Sequence, residues 1–248
     1  MSTLDAARHI ATEMMMVRDE AALSELLHES CRYLSCDFYA LSHHIDFLAH
    51  PDRGVRLHNY PEEWARWFDQ RRLGPSDPVH RASQRTGAAF LWIDIPKFVA
   101  PCANDEDILA RATRHGIGDG LTIPAHVPGE AHGSCSFAWR HGRTGAELDQ
   151  LPFAQMTGSF AFEAARRLAA PPGGFRRPRL TDRQRECILW VARGKTDWEI
   201  ATILGVRHVT VVEHLRNARA RYDATSRVTL AVRALFDGLI SFGDISND

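Results

Sequence analysis

The sequence has no CysXXCys pair, and its five cysteines, Cys31, Cys36, Cys102, Cys135 and Cys187, are odd in number and scattered. Such a pattern offers neither a zinc site nor a disulfide framework, and it fits reduced thiols in a cytoplasm. No apolar run is long enough to span a bilayer, so no membrane partner is expected. The first residues carry acid at Asp5 and lack an apolar stretch before a small-residue cleavage site, so no secretory signal is expected either. Charge of one sign is also missing: the formal net charge is -1 over 248 residues. Any contact with nucleic acid must therefore come from a local surface. There is no GlyXSerXGly elbow and no clustered metal-ligand pattern, and His43 and His44, adjacent on a predicted strand, point to opposite faces. No catalytic residue, metal or cofactor is expected, and the chain does not read as an enzyme.

What the chain does have is ordinary globular material, 44% hydrophobic and 25% charged, enough for two unequal domains. Leu4, Ile10, Ala11, Met14 and Met15 repeat at helical spacing, and Ala22, Leu23, Leu26, Leu27 and Tyr33 do so again. Asp37 to about Ile45 reads as a strand, residues 51–54 as a turn, and Val55 to Asn59 as a second, antiparallel strand. Pro61 opens a helix whose first turn holds Glu62 and Glu63, and Trp64, Trp67 and Phe68 share one face of it. The spacing predicts a short helix over Val79 to Ser83, a strand over Ala89 to Ile93 and a helix over 103–115 with Ile108, Leu109 and Ala112 in register. Residues 116–120 read as a turn, followed by two strands, one from Gly120 to Val127 and one from Ser134 to Trp139. A long helix over Glu147 to Ala169 carries Leu151, Phe153, Met156, Phe160 and Phe162. Helices at both ends of a mainly antiparallel sheet make an α/β/α sandwich.

Residues 170–178, rich in proline and glycine, read as a linker. The predicted divisions are a domain at 1–169, this linker, and a small all-α domain at 179–248, an α+β chain overall. In the small domain Thr181 with Gln184, and Thr196 with Glu199, fit the capping box, and Gly194 and Gly205 stop their helices. A third helix over Val209 to Tyr222 turns Val211, Leu215, Ala218 and Tyr222 inward. A fourth over Arg227 to Ile240 is expected to bury Val228, Ala231, Val232 and Leu235. Two short helices followed by a longer one with a free face is the helix-turn-helix plan.

Leu180-Thr181 with Glu186, Trp190 with Ala192 and Gly194-Lys195-Thr196, Glu199-Ile200-Ala201 with Leu204-Gly205, Thr210-Val211, and His214-Leu215 with Asn217-Ala218 stand in order. At this spacing they resemble the DNA-binding domain of LuxR-type transcription factors, across nearly all of the small domain. The resemblance implies that Thr196, Arg207, His208, Val209, Thr210, Val212, Glu213, Arg216 and Arg219 form the DNA-binding surface. Departures fall on that surface. Arg207 stands where the family usually has Ser, and Val209 and Val212 where it usually has Arg and Lys. A helix cap and phosphate donors are thereby lost together. Arg207, Arg216, Arg219 and Arg221 remain for the backbone, valine for a thymine methyl and glutamate for cytosine.

The larger domain places Tyr60-Pro61, Trp64, an aromatic one turn on, Asp77-Pro78 thirteen residues after Trp64, Trp92 and Gly120 at the positions of an acyl-homoserine lactone sensing domain. A carboxylate among tryptophans needs a hydrogen-bonding partner, and a lactone-bearing amide supplies one donor and several acceptors. By resemblance Trp64 donates to the lactone carbonyl, Tyr60 to the acyl carbonyl, Asp77 accepts the amide N–H, and Ser136 adds a hydrogen bond. Trp92 walls the head group, Gly120 allows a close strand approach, and Phe68 replaces the family's usual tyrosine. Singly each residue has a plain structural role, Trp67 as core and Asp77 as a turn residue. Their joint spacing argues for the site. The expected protein is a cytoplasmic quorum-sensing transcription factor, a homodimer on promoter DNA, for which RNA polymerase is a further partner this architecture allows. The alternative is a regulator of the same architecture that senses a different hydrophobic signal or acts through a protein partner.

Overall fold

The structure is a computed structural model that describes residues 3–49, 54–143, 145, 147–170 and 178–246. Most of the predicted linker, and most of the predicted turn at 51–54, lie outside the described residues. The chain forms two compact units.

The N-terminal unit begins with α1 (Thr3–Met16) and α2 (Glu20–Leu34), then β1 (Phe38–His43) and β2 (Arg56–His58). It continues through α3 (Glu62–Gln70), α4 (Pro78–Ser83), β3 (Phe90–Leu91), a 3-10 turn (Trp92–Asp94), α5 (Ile95–Phe98) and α6 (Asp105–Arg114). It closes with β4 (Ile117–Ala125), β5 (Gly133–Arg140), a 3-10 turn (Leu148–Gln150) and α7 (Leu151–Ala169). The sheet has five strands in the order β2-β1-β5-β4-β3, each neighbouring pair antiparallel.

The two faces of this sheet differ in the size of their side chains. Along β5, Cys135, Phe137 and Trp139 alternate with Ser134, Ser136 and Ala138, and strand periodicity sends the two sets to opposite faces. The large set joins Tyr39, Leu41, Leu121 and Ile123 in a core closed by α1, α2 and α7. The small set, in register with Ala40, Ser42, Thr122 and Gly120, faces the side covered by α3, α4 and α6. Small residues there leave room that the opposite face does not have. The result is the expected α/β/α sandwich.

Several local expectations are corrected. β3 is two residues long, because at Trp92 the chain leaves the ladder for a 3-10 turn. Residues 117–120 belong to β4, with a bulge between Ile117 and Gly120, and only Gly116 has the positive φ, 84°, of a turn glycine. Leu4 and Met15 are exposed, and the buried face of α1 is made by Ala6, Ala7, Ile10, Ala11 and Met14.

The C-terminal unit contains α8 (Asp182–Ala192), α9 (Asp197–Leu204), α10 (His208–Arg221), α11 (Arg227–Phe236) and α12 (Phe242–Ser246). Both capping boxes form, Thr181 with Gln184 and Thr196 with Glu199. Gly194 and Gly205 take positive φ, 80° and 64°, where their helices stop. On α11 the expected face is wrong: Leu230 and Ala234 are buried, whereas Val228 and Val232 are 67% and 59% exposed. Alternating apolar residues fill this helix on several sides, so periodicity alone does not choose the face that meets α8. That helix also ends at Phe236, short of the predicted Ile240.

Candidate functional site: a cavity beside the sheet and a helix-turn-helix surface

A cavity of about 270 Å³ lies between the small-residue face of the sheet and α3, α4 and α6. Of the predicted ligand-binding residues, Tyr60, Trp64, Phe68, Asp77, Trp92 and Ser136 line it. Gly120 does not, and its role differs from the expected strand approach. A Cβ added there would stand 2.6 Å from the indole of Trp92, so the bare glycine makes space for that ring. Trp67 lies outside the lining, packed on Trp64 at 5.3 Å between ring centroids.

Asp77 is fixed by the helix that follows it. Pro78 starts α4, and Asp77 caps it: Oδ1 accepts from the backbone N–H of Val79 at 2.6 Å and of His80 at 3.1 Å. The carboxylate is therefore held by the protein through one oxygen only. Among the described residues, Asp77 Oδ2, the Trp64 indole N–H and the Tyr60 hydroxyl make no hydrogen bond, yet none is sealed from the space around it. Burial, with the Asp77 charge adding to it, pushes the Tyr60 hydroxyl's pKa upward, so Tyr60 stays protonated as a donor.

Behind Trp92 lies a relay the sequence reading missed. The Trp92 indole N–H donates to Thr122 Oγ1 at 2.8 Å, and Thr122 Oγ1 lies 2.8 Å from Ser136 Oγ. Thr122 is fully buried, and among the described residues Ser136 is its only acceptor. Thr122 thus donates to Ser136, leaving the Ser136 proton free for the cavity. The signal was present in the alternation of β4, where Thr122 falls on the same face as Gly120. The pairing with Trp92 was not.

His80, also in the wall, stacks on His44 at 3.7 Å between ring centroids, and its Nδ1–H donates to the Gly74 carbonyl at 3.1 Å. His44 lies 2.9 Å from Ser134 Oγ through Nε2, while its Nδ1 is buried without a partner. Burial first, then the neighbouring His80, His132, His43 and His126, hold His44 well below the usual histidine pKa.

In the C-terminal unit, Thr196 caps α9 and Arg207 stands at the N-cap of α10 with no side-chain hydrogen bond to the helix, as its replacement of a serine implies. Val209 and Val212 are exposed, Thr210 is half-buried, and Glu213 pairs with Arg216 at 3.3 Å. Arg219 turns back to the Ala224 and Thr225 carbonyls, and Arg221 to Gln184 and the Arg179 carbonyl. These two arginines are thereby tied to the fold, leaving Arg207 and Arg216 as the freer cations of the set. Trp198, which the sequence reading did not single out, is 70% exposed and stacks on His208 at 4.1 Å.

Residues 19–165 match the family model of the autoinducer binding domain, and residues 178–234 that of the bacterial regulatory proteins of the luxR family. The chain belongs to the LuxR family. It carries an autoinducer-binding domain ahead of a helix-turn-helix DNA-binding domain, the organisation of a quorum-sensing transcriptional regulator. This LuxR-family protein is 33% identical to the quorum sensing-dependent regulator RpaR of Rhodopseudomonas palustris over 73% of both chains. It is 24% identical to the activator LuxR of Aliivibrio fischeri over 95% of both. In fold it is similar to Escherichia coli SdiA, with a TM-score of 0.72 at 22% identity over 96% of this chain and 99% of that one. A second SdiA structure, in complex with octanoyl-rac-glycerol, gives a TM-score of 0.73 at 22% identity, covering 97% of this chain and 98% of that one. Among the described residues no helix is long and apolar enough to cross a membrane.

Proposed function

We propose that the cavity receives an acyl-homoserine lactone and that the ligand governs promoter binding by the C-terminal unit, acting as a homodimer in the cytoplasm. One observation carries the ligand class: an aromatic-walled cavity presents two donors, Trp64 and Tyr60, and one acceptor oxygen, Asp77 Oδ2, that are unpartnered among the described residues. A molecule with one amide N–H and two carbonyls on an apolar body fills that set. Trp64 donates to the lactone carbonyl, Tyr60 to the acyl carbonyl, Asp77 accepts the amide N–H, and Ser136 supplies the further donor. Phe68 leaves the wall more apolar than a tyrosine would. We take the working divisions as 1–169 for the sensing domain, 170–178 for the linker and 179–248 for the DNA-binding domain; the limits of the two family matches support them.

Ligand binding stabilises the sensing domain by about 2.7 kcal/mol at a hundredfold excess over its dissociation constant, and shifts the population toward the DNA-binding dimer. Two recognition helices, α10 of each protomer, then enter successive major grooves. Thr196, Arg207, His208, Val209, Thr210, Val212, Glu213 and Arg216 form the reading surface, with Arg219 supporting it from within the fold. Promoter occupancy brings RNA polymerase into reach as a partner.

Calorimetric titration with a series of acyl chain lengths tests the ligand class. Micromolar or tighter binding that Asp77→Asn weakens is expected; no binding by any lactone overturns it. Recovery of intact lactone after long incubation is the expected result for a receptor, and ring-opened product would point to an enzyme. A gel shift at several salt concentrations tests DNA binding, because phosphate contacts give a salt slope.

A further inference from the structure

The cavity has a second polar end. His58 stands in register with Ala40, Ala40 with Ser136, and Ser136 with Thr122, so the four form one row across the sheet on the cavity face. Ser136 and Thr122 belong to the end already described. His58 lies on the edge strand, two strand spacings or roughly 10 Å from Ser136. Around it the wall turns polar again. Arg56, on the same face of β2, holds Asp69 of α3 at 2.5 Å, with side chains only 26% and 23% exposed. Arg56, His58 and Asp69 all line the cavity.

The state of the His58 ring follows from its surroundings. Nδ1 is sealed from solvent and, among the described residues, has no hydrogen-bond partner. Orphaned N–H groups are rarer in protein interiors than under-satisfied acceptors, so Nδ1 carries the lone pair and the ring proton sits on Nε2. Burial, and then the Arg56 charge, lower the ring's pKa, which keeps it neutral at pH 7. His58 therefore offers one N–H, and among the described residues nothing accepts it. A plain alkyl chain end would lie against that donor and an ion pair without answering either.

We propose that this end is a second polar subsite, and that the preferred ligand carries an oxygen on its acyl chain remote from the amide, accepting from His58 Nε2 beside the Arg56–Asp69 pair. This rests on the reading of the cavity as an acyl-homoserine lactone site. It adds chain chemistry to that reading, and makes His58 a specificity-determining residue.

Calorimetry on the full-length protein, with acyl-homoserine lactones of several chain lengths, each plain, 3-oxo or terminally hydroxylated, tests it. At the best-fitting length the terminal hydroxyl is expected to tighten binding roughly three- to tenfold over the plain chain, the worth of one neutral hydrogen bond. His58→Phe is expected to abolish that preference while plain-chain binding persists, and His58→Gln, which keeps a donor, to restore part of it. Equal affinity for plain and hydroxylated chains in the unaltered protein overturns the subsite while leaving the lactone reading intact. A gain confined to the 3-oxo ligands overturns it equally. Absence of binding by every ligand overturns both. Thermal melting of each variant without ligand separates a loss of preference from a loss of fold.

Discussion

Gly120 and Asp77 each hold two demands at one position. At Gly120 any side chain would meet Trp92, whose indole is pinned by Thr122. Gly120→Ala is therefore expected to push the indole off its place at a cost of about 1–3 kcal/mol, the usual range for overpacking. A shift in tryptophan fluorescence with at least tenfold weaker ligand binding checks it; unchanged fluorescence and affinity would count against it. Asp77 caps α4 with one oxygen, while the other makes no hydrogen bond among the described residues at the cavity wall. Asparagine caps nearly as well as aspartate, whereas alanine loses about 1 kcal/mol. Asp77→Asn should then melt within a degree or two of the parent yet bind ligand poorly, while Asp77→Ala should lose both. Denaturant unfolding alongside calorimetry distinguishes the two.

At the level of elements, the alternation along β5 and the cap of α10 set what each domain can do. Ser134 and Ser136 leave room for the cavity by being small, and a larger apolar residue at 136 would fill it and break the relay through Thr122. Helix α10 opens at Arg207 without a side-chain acceptor. Arg207→Ser is expected to raise the stability of the C-terminal domain by about 1 kcal/mol through a restored N-cap. It removes a cation too, so the salt slope of DNA binding should become shallower by about one phosphate contact if Arg207 touches the backbone. A gel-shift series at increasing salt reads the slope, and an unchanged slope would assign Arg207 to no phosphate.

Over the whole sensing domain the histidines set a pH response. His44, His58 and His132 all have lowered pKa values, burial being the first cause in each. The folded protein prefers these rings neutral, while the unfolded chain protonates them near pH 6.5. Stability is accordingly intact above that pH and falls as the pH drops below it, by at most about 1.4 kcal/mol per pH unit for the buried His44 and by less for His58 and the solvent-screened His132. Urea midpoints at pH 7.5 and 5.5 should show the loss. His44→Asn should flatten it, because the ring stacked on His80 is removed. An acid-insensitive midpoint in the unaltered protein would contradict this account.

Much of this was written in local chemistry. The sandwich, the short capped helices and the helix-turn-helix follow from hydrophobic period, capping residues and glycine stops, which act over a few neighbours and so are legible in a string. The residues from Tyr60 through Trp64 and Asp77 to Trp92 marked part of the cavity wall, through the resemblance of their spacing to that of the sensing-domain family. Gly120 was found, but its purpose was not, since that depends on a ring from the 3-10 turn that follows β3. Thr122 was missed because its partner Trp92 is 30 residues away, and His58 because the meaning of an edge-strand histidine depends on what lies across the sheet. On α11 apolar residues on several sides left the buried face to be chosen by packing. The sequence by itself determined which residues prefer helix, strand and cap, and which types of donor and acceptor are available. Only the tertiary structure decided which of them share one cavity, because register and packing join residues that no local preference links.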